Sequence, residues 1–242
     1  MKFQTSVLSR IGGRRSNQDY CGFVNRDEMN LWVVADGMGG HFGGEMASSI
    51  ATNAITDHFQ TISAISEENT LRLLSFANEQ VIKGQKEIPY CESMQTTIAL
   101  VVSNGENTMF ANVGDSRCYY FTDGVIIKRS TDHSIPQLLV SAGEIKEKDV
   151  RTHPDRNKVL RSIGKDDSIK PDIFTVNQPL KTGDAFLLCT DGFWELIIEK
   201  EMEVDLIKSI TPEEWLRKME LRLLTRMSET HDNYSAVAVF YQ

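Results

Sequence analysis

The sequence lacks the patterns that mark several common classes of protein. Its four cysteines, Cys21, Cys91, Cys118 and Cys189, are widely spaced and form no Cys-x-x-Cys pair. Such cysteines are typical of core residues in a reducing compartment and predict no zinc site. No apolar run approaches the roughly 18 residues of a membrane helix, and the first residues lack the apolar region of a signal peptide. We therefore expect a cytoplasmic protein.

Positive charge is also scarce. The chain has 26 Lys and Arg against 34 Asp and Glu, which gives a formal net charge of -8. This balance argues against nucleic acid or an anionic membrane as the main partner. It does not exclude a phosphorylated substrate, because bound divalent cations can invert the sign of an acidic cleft. Apolar residues make up 40% of the 242 residues, enough to bury a sizeable core.

The marks of three rival catalytic classes are missing as well. A cysteine phosphatase needs Arg six positions after its Cys, but the residues found there are Asp27, Thr97, Gly124 and Glu195. The glycine-rich stretch after residue 36 lacks the Lys-Ser/Thr ending of a P-loop. Gly114-Asp115-Ser116 might suggest a serine hydrolase, yet no Asp stands three residues before His231.

Hydrophobic periodicity predicts a mixture of strands and helices. We expect strands over residues 3–9, 20–25, 31–35, 96–102, 108–113, 117–121, 125–128, 184–190 and 234–241, with 193–197 continuing beyond the eighth. We expect helices over 44–59, 67–84, 199–208 and 213–228. The four strands between residues 96 and 128 follow one another without a helix, which predicts an antiparallel meander with a hairpin at Asp123-Gly124.

Residues 132–165 differ from the rest of the chain. They are charged, have little periodicity and are broken by Gly143, Pro154 and Gly164. We expect an irregular surface flap with some short helix, the alternative being a disordered linker. No internal repeat and no linker divides the chain, so residues 1–242 are predicted to form a single domain.

Aspartates recur next to the ends of the predicted strands. They are Asp19, Asp36, Asp115, Asp191 and Asp232. One such carboxylate would be an ordinary turn residue, but several at the edges of sheets can converge on one cluster. Ionised carboxylates that lie close together repel one another unless a cation compensates their charge.

An all-oxygen ligand set suits hard cations, here Mg²⁺ or Mn²⁺. Two such ions about 3.5–4 Å apart can convert a bridging water into hydroxide and hold the oxygens of an in-line displacement at phosphorus. The sequence therefore predicts a metal-dependent phosphate site whose floor is the stretch from Leu31 to Glu45.

The ordered motifs resemble the metal-dependent type 2C protein phosphatases, the PPM family. They are Arg14-Arg15-Ser16-Asn17-Gln18-Asp19, Asp36-Gly37-Met38-Gly39-Gly40-His41, Thr96-Thr97, Gly114-Asp115-Ser116-Arg117, Asp132-His133-Ser134, Thr190-Asp191-Gly192 and Asp232-Asn233. The likeness covers nearly the whole chain, and Asp-Gly-Met-Gly-Gly is similar to the compact bacterial branch. It implies an α+β fold, a four-layer α/β/β/α sandwich in which two antiparallel β-sheets are flanked by helices.

The resemblance also implies catalytic and metal-binding roles. Asp36 would bridge two metal ions, and Gly37 would offer its carbonyl oxygen to the second. Asp191 and Asp232 would be ligands of the first ion. With these three aspartates as its catalytic set, the site would hydrolyse phosphoserine and phosphothreonine through a metal-bridging hydroxide.

Four further residues receive roles from the same resemblance. Asp115, with Asp191, would hold a third, weaker ion, and Asp19 would act through water on the second ion. Arg14 resembles the guanidinium that grips the substrate phosphate. His41 is grouped with Arg14 in phosphate binding, and a solvent-facing turn histidine is the alternative.

The chain departs from the family pattern at three positions. Gln18 stands where animal members have Glu, Met38 replaces a histidine often assigned as general acid, and Ser235 replaces the usual Thr. Leaving-group protonation must then come from water or His41. For Arg15 and Arg117, the alternative to a role in the site is that of a surface or structural cation.

The implied partners are phosphorylated proteins, substrates of a cognate Ser/Thr kinase, and the chain is expected to be a monomer. A pseudophosphatase that serves as a binding module is the alternative function. Loss of metal-binding aspartates would indicate that class, and every one of them is present.

Overall fold

The computed structural model describes residues 2–40, 42–176 and 178–242. Within these ranges the strands are β1 (Phe3–Arg10), β2 (Asp19–Arg26), β3 (Met29–Met38), β4 (Gln95–Thr96), β5 (Ile98–Ser103), β6 (Thr108–Val113), β7 (Arg117–Thr122), β8 (Val125–Arg129), β9 (Asp172–Val176), β10 (Ala185–Cys189) and β11 (Tyr234–Tyr241). The α-helices are α1 (Gly43–Phe59), α2 (Glu67–Glu87), α3 (Ile135–Ser141), α4 (Asp191–Trp194), α5 (Glu199–Ile207) and α6 (Pro212–Leu224), with a 3₁₀ helix over Glu147–Thr152.

The strands form two antiparallel sheets. One has the order β1-β11-β10-β7-β8, and the other has the order β2-β3-β5-β6-β9 with β4 paired to β3. We call them the five-stranded and the six-stranded sheet. The central strands β10 and β11 of the first sheet pair along Ala185 to Cys189, and those of the second are buried along nearly their whole length.

Three hydrophobic cores separate four layers. Side chains alternate along a strand, so Leu31 and Val33 of β3 pack against α1 and α2 on one face. Trp32 and Val34 point the other way, into the core between the sheets. A third core, which includes Trp215, joins α4, α5 and α6 to the five-stranded sheet. This α/β/β/α arrangement confirms the predicted fold class.

The predicted meander is wrong. β5 pairs with β6 in the six-stranded sheet, whereas β7 pairs with β8 and β10 in the other sheet. The chain therefore crosses between the sheets at residues 114–116. Gly114 makes this crossing with a φ of 104°, and a Cβ there would lie 2.6 Å from the Thr97 side chain. Only glycine fits this conformation at so close an approach.

Smaller differences concern single elements. The strand expected over 193–197 is wrong, because α4 begins directly after β10 and buries Phe193 and Trp194 against the sheet. β9 was not predicted, and the strand predicted over 96–102 is interrupted at Thr97. The four cysteines are free thiols. No helix among the described residues is long and apolar enough to cross a membrane.

The segment 132–165 is irregular with short helices, as expected. It contains α3 and the 3₁₀ helix. An isolated β-bridge between Thr96 and Ile163 ties it to the rest of the fold. A second bridge, between Ser134 and Val159, closes the segment on itself. These contacts favour the flap over the disordered linker, and we keep the name flap for residues 132–165.

Candidate active site

The strand ends of both sheets surround a cleft of about 380 Å³ at one end of the sandwich. Its lining comprises Arg14, Arg15, Ser16, Gln18, Asp36, Gly37, Met38, Gly39, Asp115, Asn157, Val159, Asp191, Asp232 and Asn233. Four of the five predicted aspartates are in this set. The fifth, Asp19, is the strand partner of Asp36 in the β2–β3 pair and is buried.

Asp36 is fixed near the end of β3 by two threonines. Its backbone N–H donates to Thr97 Oγ1 at 3.1 Å, and its carbonyl oxygen accepts from the Thr96 hydroxyl at 2.8 Å. The Thr97 N–H also donates to this carbonyl, at 2.9 Å. These bonds interrupt the regular ladder at Thr97 and leave the Asp36 carboxylate free to face the cleft.

Asp191 and Asp232 come from neighbouring strands. Asp191 follows β10 and Asp232 precedes β11, each separated from its strand by one residue. The two segments approach closely at Gly192, where a Cβ would lie 2.1 Å from the Asn233 carbonyl oxygen. His231 Nε2 also lies 2.7 Å from the Gly192 carbonyl oxygen. Glycine after Asp191 is therefore required by this contact.

Asp115 enters the cleft from the crossing between the sheets. Its side chain is 3% exposed. The Trp194 indole N–H donates to its carbonyl oxygen at 2.9 Å, which ties the crossing to α4. Aspartates thus reach the cleft from the six-stranded sheet, from the five-stranded sheet and from the segment that joins them.

Burial and mutual repulsion raise the pKa values of these carboxyls. The pKa of Asp36 lies well above its usual range, first through desolvation and then through the negative charge of Asp191. The same two causes raise the pKa of Asp115. Desolvation and the charge of Asp232 raise the pKa of Asp191. The cluster therefore favours protons or cations at this site.

Asp19 shows the same effect behind the cleft. Burial raises its pKa from 3.8 to about 8, although hydrogen bonds from Ser235 and Thr190 act in the opposite direction. The Thr190 hydroxyl donates to Asp19 Oδ2 at 2.9 Å. Among the described residues, Asp19 Oδ1 and Asp191 Oδ1 are buried without a hydrogen-bond partner. Two buried acceptors beside the cleft thus have capacity for water or a cation.

The acids are gathered but are not arranged around a common point. Within residues 2–40, 42–176 and 178–242, no three His, Cys, Asp or Glu side chains form a ready coordination set. Asp232 Oδ2 accepts from Arg14 Nη2 at 2.7 Å instead. Here the Arg14 guanidinium supplies part of the positive charge that the cluster needs.

Arg14 lies at the rim of the cleft with half of its side chain exposed. The loop that carries it is held by Asn233, whose Nδ2 donates to the carbonyl oxygens of Ile11 and Ser16 at 2.7 and 2.9 Å. Asn233 Oδ1 accepts from the Gln18 N–H at 2.9 Å. Sequence reasoning noted Asn233 only as part of a motif. Its contacts give it the role of organising the Arg14 loop.

Arg117 is a structural cation, which was one of the two alternatives to a role in the site. It is fully buried and binds Asp132 through two hydrogen bonds of 2.8 and 2.7 Å. Its guanidinium also lies over the Trp194 ring, 3.4 Å from the ring centre. Arg117 therefore anchors the beginning of the flap and has no access to the cleft.

Three of the remaining motif residues, Gln18, Met38 and Arg15, line the cleft. Two residues of the flap that were not predicted, Asn157 and Val159, line it as well. His41 lies outside the described residues.

Comparison with known proteins gives one consistent result. A family model for protein phosphatase 2C matches residues 8–231. The serine/threonine phosphatase stp of Listeria welshimeri is 34% identical over 202 residues, which cover 81% of this chain and 79% of that protein. A solved structure of the S. agalactiae serine/threonine phosphatase has a TM-score of 0.85 at 28% identity, with 100% of both chains covered.

The same fold is found in a more distant solved structure. The catalytic domain of the serine/threonine protein phosphatase PstP, in complex with two manganese ions, has a TM-score of 0.83 at 24% identity. The match covers 98% of this chain and 97% of that one. The motifs, the two-sheet sandwich and the acidic cleft agree with these matches, and the chain belongs to the protein phosphatase 2C family.

Proposed function

We propose that this chain is an active, metal-dependent phosphatase that hydrolyses phosphoserine and phosphothreonine in proteins. The observation that carries the proposal is the convergence of Asp36, Asp115, Asp191 and Asp232 on one cleft. The names of the bacterial relatives, which are serine/threonine phosphatases, support the substrate class.

The residues of the cleft fit hard divalent cations. The side-chain donors are carboxylate oxygens, which suit Mg²⁺ or Mn²⁺, and the raised pKa values indicate that the cluster requires positive charge. We assign the holding of two ions, and of a third weaker one, to Asp36, Gly37, Asp191, Asp232, Asp115 and, through water, Asp19. Such ions offset the charge of the phosphate and favour loss of a proton from water.

Arg14 is the residue that we assign to substrate binding. Its guanidinium carries five N–H donors in a planar fork, and one of them is used on Asp232. The half-exposed side chain leaves the others able to reach phosphate oxygens at the mouth of the cleft. The ion pair with Asp232 holds Arg14 at the site before substrate arrives. We keep His41 in the phosphate-binding set as a prediction.

The flap is the part of the chain that we assign to substrate selection. Asn157 and Val159 form one wall of the cleft, so a peptide on either side of the phosphorylated residue would contact them. Arg156 Nε lies 2.9 Å from Glu195 Oε1, just beyond α4, which fastens this wall to the body of the protein. The irregular backbone and charged surface of the flap support a role in selectivity.

No observation favours the pseudophosphatase alternative, because each of the predicted aspartates lies in or beside the cleft. We further propose a single domain over residues 1–242, supported by one family model that spans residues 8–231. A cytoplasmic location, a monomeric state and a cognate Ser/Thr kinase complete the proposal.

Hydrolysis of a phosphothreonine peptide with Mn²⁺, with Mg²⁺ and with excess chelator tests the function. The chelator should abolish turnover, and Asp191→Asn should lower kcat at least about 100-fold, because it removes one metal-facing charge. Asp167→Asn, which neutralises an exposed aspartate that is not part of the cleft lining, is the control and should retain full activity. Wild-type turnover in chelator, or full activity of Asp191→Asn at saturating Mn²⁺, would contradict the proposal.

A further inference from the structure

The crossing between the sheets needs an outside restraint. Gly114 has a φ of 104° and no side chain of its own to limit its conformation. Glycine populates many backbone conformations, so the direction of the next residue, Asp115, is not fixed locally. Whatever fixes the Gly114 peptide therefore also fixes where the Asp115 carboxyl points.

His133 supplies that restraint from the start of the flap. The Gly114 N–H donates to His133 Nδ1 at 3.1 Å, and the His133 N–H donates back to the Gly114 carbonyl oxygen at 2.8 Å. The imidazole is buried, with 5% of the side chain exposed, so water does not compete for these bonds. Gly114 is thus held on both sides of its Cα by a single residue.

The hydrogen bond to Gly114 defines the tautomer of His133. A backbone N–H can only donate, so Nδ1 must be the unprotonated nitrogen and Nε2 must carry the proton. Nε2 lies 3.2 Å from Arg161 Nη1 and 3.3 Å from Asp172 Oδ1. Because a guanidinium has no acceptor, the Asp172 carboxylate is the group that can accept the Nε2 proton. Burial and the nearby Arg161 guanidinium keep the pKa of His133 below its ordinary value, which preserves the neutral ring.

A second hydrogen bond restrains the crossing on its other side. The Ser116 hydroxyl lies 2.7 Å from Thr97 Oγ1, the atom that accepts from the Asp36 N–H. Ser116 therefore ties the crossing to the Asp36 strand, while His133 ties it to the flap. The Leu160 N–H also donates to the His133 carbonyl oxygen at 2.7 Å, so both ends of the flap meet at this residue.

We propose that His133 is a positioning residue, whose unprotonated Nδ1 holds the Gly114 peptide and thereby orients the Asp115 carboxyl toward the cleft. The proposal rests on the proposed function to the extent that Asp115 is taken as a ligand of the weakest metal ion. It gives the Asp132-His133-Ser134 motif a role that requires no contact with substrate. It also connects the position of the flap to the acidic cluster.

Two matched variants separate this role from simple packing. In His133→Asn, the amide oxygen is bonded to Cγ as Nδ1 is, so the acceptor for Gly114 is retained. In His133→Gln, the amide reaches the position of Nε2 and the acceptor for Gly114 is lost. Both variants replace a buried ring by a smaller polar side chain, so a purely structural role would affect them alike.

The first readout is amide hydrogen exchange at Gly114, which is measured by NMR on the full chain in the presence of chelator. We expect protection in the wild type and in His133→Asn, and at least about tenfold faster exchange in His133→Gln. The second readout is the affinity of the weakest Mn²⁺ site by titration. It should fall about tenfold in His133→Gln, toward the value of Asp115→Asn, since residues that orient ligands typically contribute 10–100-fold.

Equal effects of the two His133 variants on both readouts would overturn the proposal. Faster exchange at Gly114 with unchanged Mn²⁺ affinity would overturn the metal role of Asp115. Absence of phosphatase activity in the wild-type protein would contradict the proposed function alone. The imidazole nitrogen NMR spectrum of the wild type needs no variant. A proton on Nδ1 of His133 in that spectrum would refute the inference directly.

Discussion

The metal-free protein should be destabilised by its own buried acids, and Asp19 allows a direct test. Its side chain is 6% exposed, and burial raises its pKa from 3.8 to about 8. Between these two pH values the unfolded chain releases the proton while the folded chain keeps it. The contribution of Asp19 to stability is therefore fully present below about pH 4 and is lost as pH rises toward about 8.

The size of the effect follows from the interval between the two pKa values. At pH 7 the loss is on the order of 4 kcal/mol relative to pH 4, since each pH unit corresponds to about 1.4 kcal/mol. Asp19→Asn removes the charge, nearly preserves the shape and still offers an acceptor to the Thr190 hydroxyl. The metal-free variant should therefore match the wild type near pH 4 and be more stable near pH 7. The difference corresponds to about 8–16 °C in Tm for a domain of this size.

Urea unfolding in excess chelator at several pH values measures this difference. Asp167→Asn, which removes an exposed carboxylate, is the control and should give a pH-independent difference from the wild type. Saturating Mn²⁺ should reduce the advantage of Asp19→Asn, because bound cations then compensate the cluster. If Asp19→Asn destabilises the metal-free protein equally at both pH values, the electrostatic reasoning is wrong.

Three further predictions concern single contacts. Asp132→Asn removes the charge of the nearest carboxylate from the buried Arg117 guanidinium and should lower the free energy of unfolding by about 3 kcal/mol in urea titrations, because Glu199 at 3.5 Å compensates only in part. Glu68→Gln at an exposed ion pair should leave the midpoint unchanged. Arg14→Met should raise KM for a phosphopeptide about tenfold with a smaller change in kcat, and an unchanged KM would reject its role. Arg156→Met should raise the phosphopeptide KM up to about fivefold and leave that of a small aryl phosphate unchanged, with Glu195→Gln giving the same pattern. Equal changes for both substrates would argue against the flap as a selectivity element.

The sequence predicted the individual elements better than their pairing. Period-two and helical spacing located most strands and helices, since these patterns reflect which face is buried. They carry no information on which sheet a strand joins. β6 and β7 are separated by three residues and lie in different sheets. Gly114 marks this change of sheet, but the sequence pattern identified it only as part of a motif.

Short elements also exceeded what periodicity can resolve. Residues 193–197 are apolar enough for a buried strand, and a run of this length cannot be distinguished from one turn of a buried helix. The structure selects the helix because Phe193 and Trp194 then pack together into the core above the five-stranded sheet. That decision depends on tertiary contacts with β11, which no local window contains.

The composition of the cleft was predictable because its acids share a simple local context. Each lies at or next to the end of a strand, and the ends of neighbouring strands are close in space. The residues that orient the acids were not found in this way. Asn233, Trp194 and His133 act on backbone atoms of other segments, and their own neighbours in sequence give no sign of those partners.

The separation of the acids is set by the core between the sheets. Asp36 belongs to the six-stranded sheet, whereas Asp191 and Asp232 flank β10 and β11 of the other sheet. Between the sheets, the Trp32 and Phe186 rings pack edge to face with centroids 6.0 Å apart. Large aromatic rings in this layer therefore fix the spacing across which the carboxylates meet. The acids raise the free energy of the metal-free state through their repulsion, and this layer prevents the sheets from moving apart to relieve it.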